Sequence, residues 1–145
     1  LKPYYADSHY NLGKVLNDVE RHDEAILSYS RAVRLNPTNA KVRNNLAGTL
    51  KVLGKYDDAI EHFDALSDSD SEAQSLECLY NSGKLFEFHE KLNSLSKTEV
   101  MNIRVAAVSA FAAHQHKKED PYPFCKNPLD FILVTNLAEF DVFVK

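Results

Sequence analysis

Displaced by 34 positions, the first half of this chain falls on itself. Asn11-Leu12-Gly13 lands on Asn45-Leu46-Ala47, and Leu16 lands on Leu50. Arg21-His22-Asp23-Glu24-Ala25-Ile26 lands on Lys55-Tyr56-Asp57-Asp58-Ala59-Ile60, Tyr29 on Phe63, and Pro3 on Pro37. Small residues, aromatics and helix breakers therefore recur at equal phase. A period of this size marks chains whose units cannot bury an apolar face alone and do so by stacking.

Each unit reads as two helices. Leu12, Val15, Leu16 and Val19 recur at intervals of three and four, which predicts an apolar stripe along one helix. Ala25, Ile26, Tyr29, Ala32 and Val33 do the same in the following segment. The short polar stretch Glu20-Arg21-His22-Asp23 between them suits an antiparallel hairpin. Pro37 ends the second helix, because proline lacks an amide donor and disfavours helix at Asn36. The second unit repeats the plan with helices near 40–53 and 56–66. Gly54 stands at the turn, where a left-handed helix terminus favours glycine.

This pattern resembles the tetratricopeptide repeat, a helix–turn–helix of about 34 residues. Leu12-Gly13, Leu16, Ala25, Tyr29, Ala32 and Pro37 match the family's characteristic positions, as do Leu46, Ala47, Leu50, Ala59 and Phe63 in the second unit. The chain departs from the pattern where His9 and Arg43 replace the usual tryptophan, Leu66 the later alanine and Ser71 the terminal proline. The resemblance implies an all-α fold: a right-handed superhelix of antiparallel hairpins, here with an irregular C-terminal tail. Pro3, one period before Pro37, reads as the tail of a preceding repeat, so a longer array is expected.

Beyond the second unit the repeat fades. A polar linker, Ser67-Asp68-Ser69-Asp70-Ser71, is rich in helix N-caps. Gly83-Lys84-Leu85-Phe86-Glu87 then aligns with Gly54-Lys55-Tyr56-Asp57-Asp58. That predicts a turn at Gly83 between helices 72–82 and 85–95, since glycine inside a helix costs about 1 kcal/mol. An alternative alignment, Tyr80-Asn81-Ser82-Gly83-Lys84 on Tyr10-Asn11-Leu12-Gly13-Lys14, would instead run one helix through Gly83. In the first of these, Phe88, Leu92 and Leu95 take the places of Ala59, Phe63 and Leu66. Residues 98–116 form a further helix capped by Thr98, with Val100, Ile103, Ala107, Val108, Phe111 and Ala112 as its buried stripe. The expected organisation is a helical repeat domain over 1–116, with repeats at 6–39, 40–70 and a degenerate 71–96. Residues 117–145 follow as a linker entering a further segment. There Pro121, Pro123 and Pro128 preclude a regular helix, and Phe131-Ile132-Leu133-Val134 is a candidate strand. The block from Pro121 to Phe131 is similar to the junction of bacterial repeat proteins that continue into an iron- and 2-oxoglutarate-dependent oxygenase domain. That similarity implies, as an alternative role, the repeat arm of an enzyme whose catalytic domain lies outside these 145 residues.

Composition excludes several function classes. Seventeen Lys and Arg against 21 Asp and Glu give a net charge of −4, the wrong sign for a nucleic-acid backbone or an anionic membrane surface. No apolar run approaches the roughly 20 residues that span a bilayer. Cys78 and Cys125 are far apart and form no CxxC pair, which suits reduced thiols in the cytoplasm. No catalytic residue, metal site or cofactor is expected. His62-Phe63-Asp64 and His114-Gln115-His116 carry metal-ligand residue types, but residues two apart on a helix point away from each other. There is no glycine-rich phosphate loop, because the four glycines are scattered.

Binding is the better supported role. The resemblance implies that the first helices line a concave face. On the first of them a polar stripe runs Asp7, Asn11, Lys14 and Asp18, flanked by Tyr10; on the next it runs Lys41, Asn44, Asn45 and Gly48. Asn11 and Asn45 are in phase, and an amide can both donate to and accept from an extended peptide backbone. Gly48 leaves room for a ligand. The carboxylate clamp of chaperone-binding members is not implied, since Tyr10 stands for its lysine and Lys14 for its asparagine. The expected partner is a protein or peptide, with self-association through exposed repeat ends or the apolar tail.

Overall fold

The computed structural model describes residues 3–97 and 103–117. All their regular elements are helices: α1 (Pro3–Asp18), α2 (His22–Leu35), α3 (Ala40–Val52), α4 (Tyr56–Asp64), α5 (Ser69–Asn81), α6 (Leu85–Ser96) and α7 (Ile103–His116). Thr98, Val100, Cys125, the block from Pro121 to Phe131 and the Phe131–Val134 run lie outside the described residues. Contacts group the chain into two units, 1–85 and 86–145.

In the first unit α1 packs on α2, α2 on α3, α3 on α4 and α4 on α5. The hairpins close on one repeated device. Glu20, Gly54 and Gly83 all adopt left-handed backbone, with φ of 61°, 71° and 76°. Behind each, the next amide reaches back five residues: Arg21 to the Leu16 carbonyl at 2.8 Å, Lys55 to Leu50 at 2.9 Å, Lys84 to Leu79 at 3.0 Å. A second bond joins Glu20 to Asn17, Gly54 to Lys51 and Gly83 to Tyr80, each at 3.0 Å. This pair of bonds satisfies carbonyls that a helix end leaves open, and it requires the left-handed residue. The turn at Gly83 thus resolves the two sequence alignments in favour of a helix break. Helix α5 starts earlier than expected, because Asp68 caps it, accepting from the Asp70 and Ser71 amides at 3.1 and 3.0 Å and from the Ser71 hydroxyl at 2.7 Å. Those bonds hold its carboxyl below the usual carboxylate range.

Each second helix opens with two acids, Asp23-Glu24 and Asp57-Asp58, at the end where helix dipoles favour negative charge. Asp23 also takes Lys55 at 3.0 Å and Asp57 takes Lys84 at 2.9 Å. Each lysine directly follows the turn glycine of the next hairpin, so the clasp repeats from hairpin to hairpin.

The core is continuous across the repeats. Ala25, Ala32, Ala47 and Ala59 are fully buried, and Tyr29 and Phe63 occupy equivalent places beside them. Gly13 permits the closest approach: a Cβ there would come within 2.6 Å of the Tyr29 ring.

Two expectations are corrected. Leu12, Val15 and Val19 do not form the core stripe of α1; they are 50%, 60% and 57% exposed, and α1 turns Ala6, Gly13 and Leu16 inward instead. Their phase equivalents Leu46 and Thr49 are buried at 1% and 4%, because α3 has packed helices on both sides and α1 does not. Pro3 opens α1, a position where a missing amide donor costs nothing. In the second unit, α6 buries Phe88 and Leu92 as expected. Helix α7, however, buries Val105, Ser109, Ala112 and Ala113, leaving Ala107 exposed and Phe111 54% exposed. There Ser109 belongs to the buried face, which a search for apolar residues alone displaces.

Two stability measurements follow from this packing. Leu46→Ala should cost about 2–5 kcal/mol in urea unfolding, whereas Leu12→Ala, at the same repeat position, should cost less than about 1 kcal/mol. Gly13→Ala should destabilise by about 1–2 kcal/mol despite alanine's better helix propensity, because a ring with no space to retreat must shift.

Candidate functional site

The polar stripes of α1 and α3 follow from helical progression of about 100° per residue. Asp7, Asn11, Lys14 and Asp18 fall within a narrow arc on the side of α1 away from Leu16. Asn44, Asn45 and Gly48 lie on α3 beside it. Together with α5 these helices wall a pocket of about 320 Å3. It is lined by Lys14, Asn17, Asp18, Asn44, Asn45, Gly48, Thr49, Val52 and Gln74, with His22, Tyr29 and Phe63 behind.

Of the sequence-derived site residues, Lys14, Asn44, Asn45 and Gly48 meet in this pocket. Tyr10 and Lys41 stand beside it: the Asn45 amide nitrogen donates to the Tyr10 hydroxyl at 3.1 Å, and the Lys41 ammonium lies 5.6 Å from the centre of the Tyr10 ring. Asp7 and Asn11 are exposed on α1 and do not line the pocket. Asn45 keeps its side-chain oxygen Oδ1 and one amide hydrogen for a ligand; its main-chain oxygen is the one near Thr49. A Cβ at Gly48 would meet nothing within 4 Å, so the space above α3 is open there.

Sequence reasoning missed Asn17, Thr49 and Gln74 as site residues. Asn17 and Thr49 join the two hairpins: the Thr49 hydroxyl is 3.1 Å from the Asn17 side-chain oxygen and 2.9 Å from the Asn45 carbonyl. His22 Nδ1 lies 3.1 Å from the same Asn17 oxygen. Only the pairing of positions 17 and 49 across the repeat could have shown this. Gln74 sits on α5, whose register the repeat did not fix. There it accepts from Lys51 Nζ at 2.6 Å, and Glu77 pairs with the same ammonium.

Tyr29, behind the pocket, has its phenol pushed up to about 12, by burial first and then by Tyr10 and Asp18. On the other side of α3, Arg43 donates to the Pro37 carbonyl at 2.9 Å and faces His62 Nδ1 at 3.5 Å. Burial first, and Arg43 second, lower the His62 pKa. His62 and Asp64 do not converge, since buried Phe63 separates them on α4. Among the described residues no group of three or more His, Cys, Asp or Glu side chains could hold a metal ion. No helix among them is long and apolar enough to cross a membrane.

Residues 6–39 match a family model described as Tetratricopeptide repeat, and residues 28–61 match a second of the same description. Residues 6–61 therefore belong to the tetratricopeptide repeat family, whose helical arrays serve as protein-interaction modules. The chain is 37% identical over 57 residues to an uncharacterized TPR repeat-containing protein of Arabidopsis thaliana, covering 39% of this chain and 7% of that protein. It is 43% identical over 51 residues to the peroxisomal targeting signal receptor of Eremothecium gossypii, covering 35% of this chain and 9% of the receptor. The chain thus spans less than a tenth of the length of these curated relatives.

The His62 environment sets a pH dependence. A lowered native pKa means the unfolded chain binds the proton more readily, so stability is complete above the ordinary value of 6.5 and is lost as pH falls below it. Thermal melts from pH 7.5 to 5.5 should show a declining midpoint, and His62→Gln, which cannot charge, should reduce that decline.

Proposed function

We propose that the face shared by α1, α3 and α5 binds an extended segment of a partner protein, and that it does so in the cytoplasm with Cys78 as a thiol. The observation that carries this reading is a pocket whose lining brings together four amide side chains. Asn17, Asn44, Asn45 and Gln74 surround an opening that Gly48 leaves unfilled. Amides match the alternating donors and acceptors of a peptide backbone without demanding a charge from it. Val52, 69% exposed at the pocket edge, offers an apolar contact for one side chain. Asn45 and Lys14 hold the segment on either side of the α1–α3 seam, and Asn11, exposed on α1, extends the track toward Asp7.

One relative supports a binding role: the protein of Eremothecium gossypii is, by its name, a peroxisomal targeting signal receptor. This chain is proposed as a non-catalytic module of the same general kind, with a ligand of its own.

The test begins with selection of binding segments from a random peptide library, followed by calorimetric titration of the best. Asn11→Ala with Asn45→Ala should weaken binding by about tenfold or more, the worth of one or two good hydrogen bonds. Gly48→Leu should abolish it while leaving the circular dichroism spectrum and melting temperature intact, because the added side chain enters empty space. Undiminished binding in both variants would place the ligand elsewhere.

A further inference from the structure

The geometry points to a second binding site, on the opposite side of the first hairpin, for a phosphate monoester carried on a flat apolar body. Tyr5 and His9, one turn apart on α1, face Arg31, Arg34 and Leu35 on α2 around a pocket of about 440 Å3. Helical progression sets Tyr5 and His9 about 140–180° around α1 from the Asp18 position, so this pocket is separate from the groove. Its volume is in the range of pockets that hold small molecules or single side chains.

Three features give the ligand its chemistry. First, the pocket is cationic in a chain whose net charge is −4. Arg31 and Arg34 lie three residues apart on one helical face, and among the described residues no carboxylate lines the pocket. Elsewhere in the first unit, Arg21, Lys51, Lys55 and Lys84 each have a carboxylate partner. Neither Arg31 nor Arg34 has one among the described residues. Two guanidinium forks present donors suited to a tetrahedral oxyanion, and the half-buried His9 ring adds a third donor group. Second, Tyr5 and Leu35 supply a flat and an aliphatic surface on which the organic part of the ligand lies. Third, the repeat does not require these residues. One period on, Tyr5, His9, Arg31, Arg34 and Leu35 become Asn39, Arg43, Ala65, Asp68 and Ser69. There Arg43 is bound to the Pro37 carbonyl, and Asp68 caps α5. The second hairpin folds on the same plan without the cationic pair, so stacking alone does not account for it.

The shared chemistry is a phosphate ester beside a ring, which a phosphorylated tyrosine or a nucleotide would both supply. Titration of the chain with phenyl phosphate, adenosine monophosphate and inorganic phosphate, followed by 31P line broadening and calorimetry, distinguishes the sources. At least one ester should bind about tenfold more tightly than inorganic phosphate, and weaken as salt rises. Arg31→Gln with Arg34→Gln, both at exposed positions, should reduce that binding about tenfold or more with an unchanged melting temperature. Gly48→Leu in the groove should leave it unaltered. Equal, non-saturating binding of all three probes, or ester binding that survives the double substitution, would overturn the assignment.

Discussion

A ring on the second helix of the first hairpin stands where the first helix has no side chain at all. Tyr29 lies over Gly13, and nothing larger than hydrogen fits between them. One period later Phe63 and Ala47 hold the equivalent positions, the glycine replaced by a small methyl-bearing residue, and both are buried in the common core. Close approach at this level brings Ala25 and Ala59 to zero exposure and fixes how far apart the two helices of a hairpin stand. Interior packing is dense enough that a single added methyl is felt.

The turns contribute a second constraint of a different kind. Each reverses the chain with one left-handed residue and two hydrogen bonds, and each sets a lysine or arginine immediately after it. In the second and third turns that lysine reaches an acid on the preceding hairpin. Such exposed pairs contribute at most about 1 kcal/mol each. Their effect is on register: they favour one rotation of each hairpin on the last.

Much of this was legible in the residues. The period, the hairpins, the break at Gly83 and the places of Ala25, Ala59, Tyr29 and Phe63 follow from spacing and from residue size. The exposure of Leu12, Val15 and Val19 did not, because a pattern of three and four marks an apolar face without saying whether a neighbour covers it. Leu46 shows the same letter at the same phase with the opposite outcome. Glu20 was unreadable as a left-handed residue, since only alignment with Gly54 marks its role. In the groove, the α3 amides were visible as a polar stripe. Asn17 and Thr49 were not, because their partnership spans two hairpins and one of them replaces an apolar residue of the first repeat. Gln74 depended on the register of α5, which Asp68 sets from outside the repeat pattern.

The engagement of Lys51 by α5 sets the charge that the pocket presents. With Glu77 and Gln74 holding that ammonium, the pocket wall keeps, among the described residues, one outright cation, Lys14, and one outright anion, Asp18. Fields from the two largely cancel a few ångströms into solvent. A molecule settling there arrives by unguided diffusion, with an encounter rate of about 10^5–10^6 per molar per second that ionic strength barely changes. Discrimination among visitors then rests on how long each one stays.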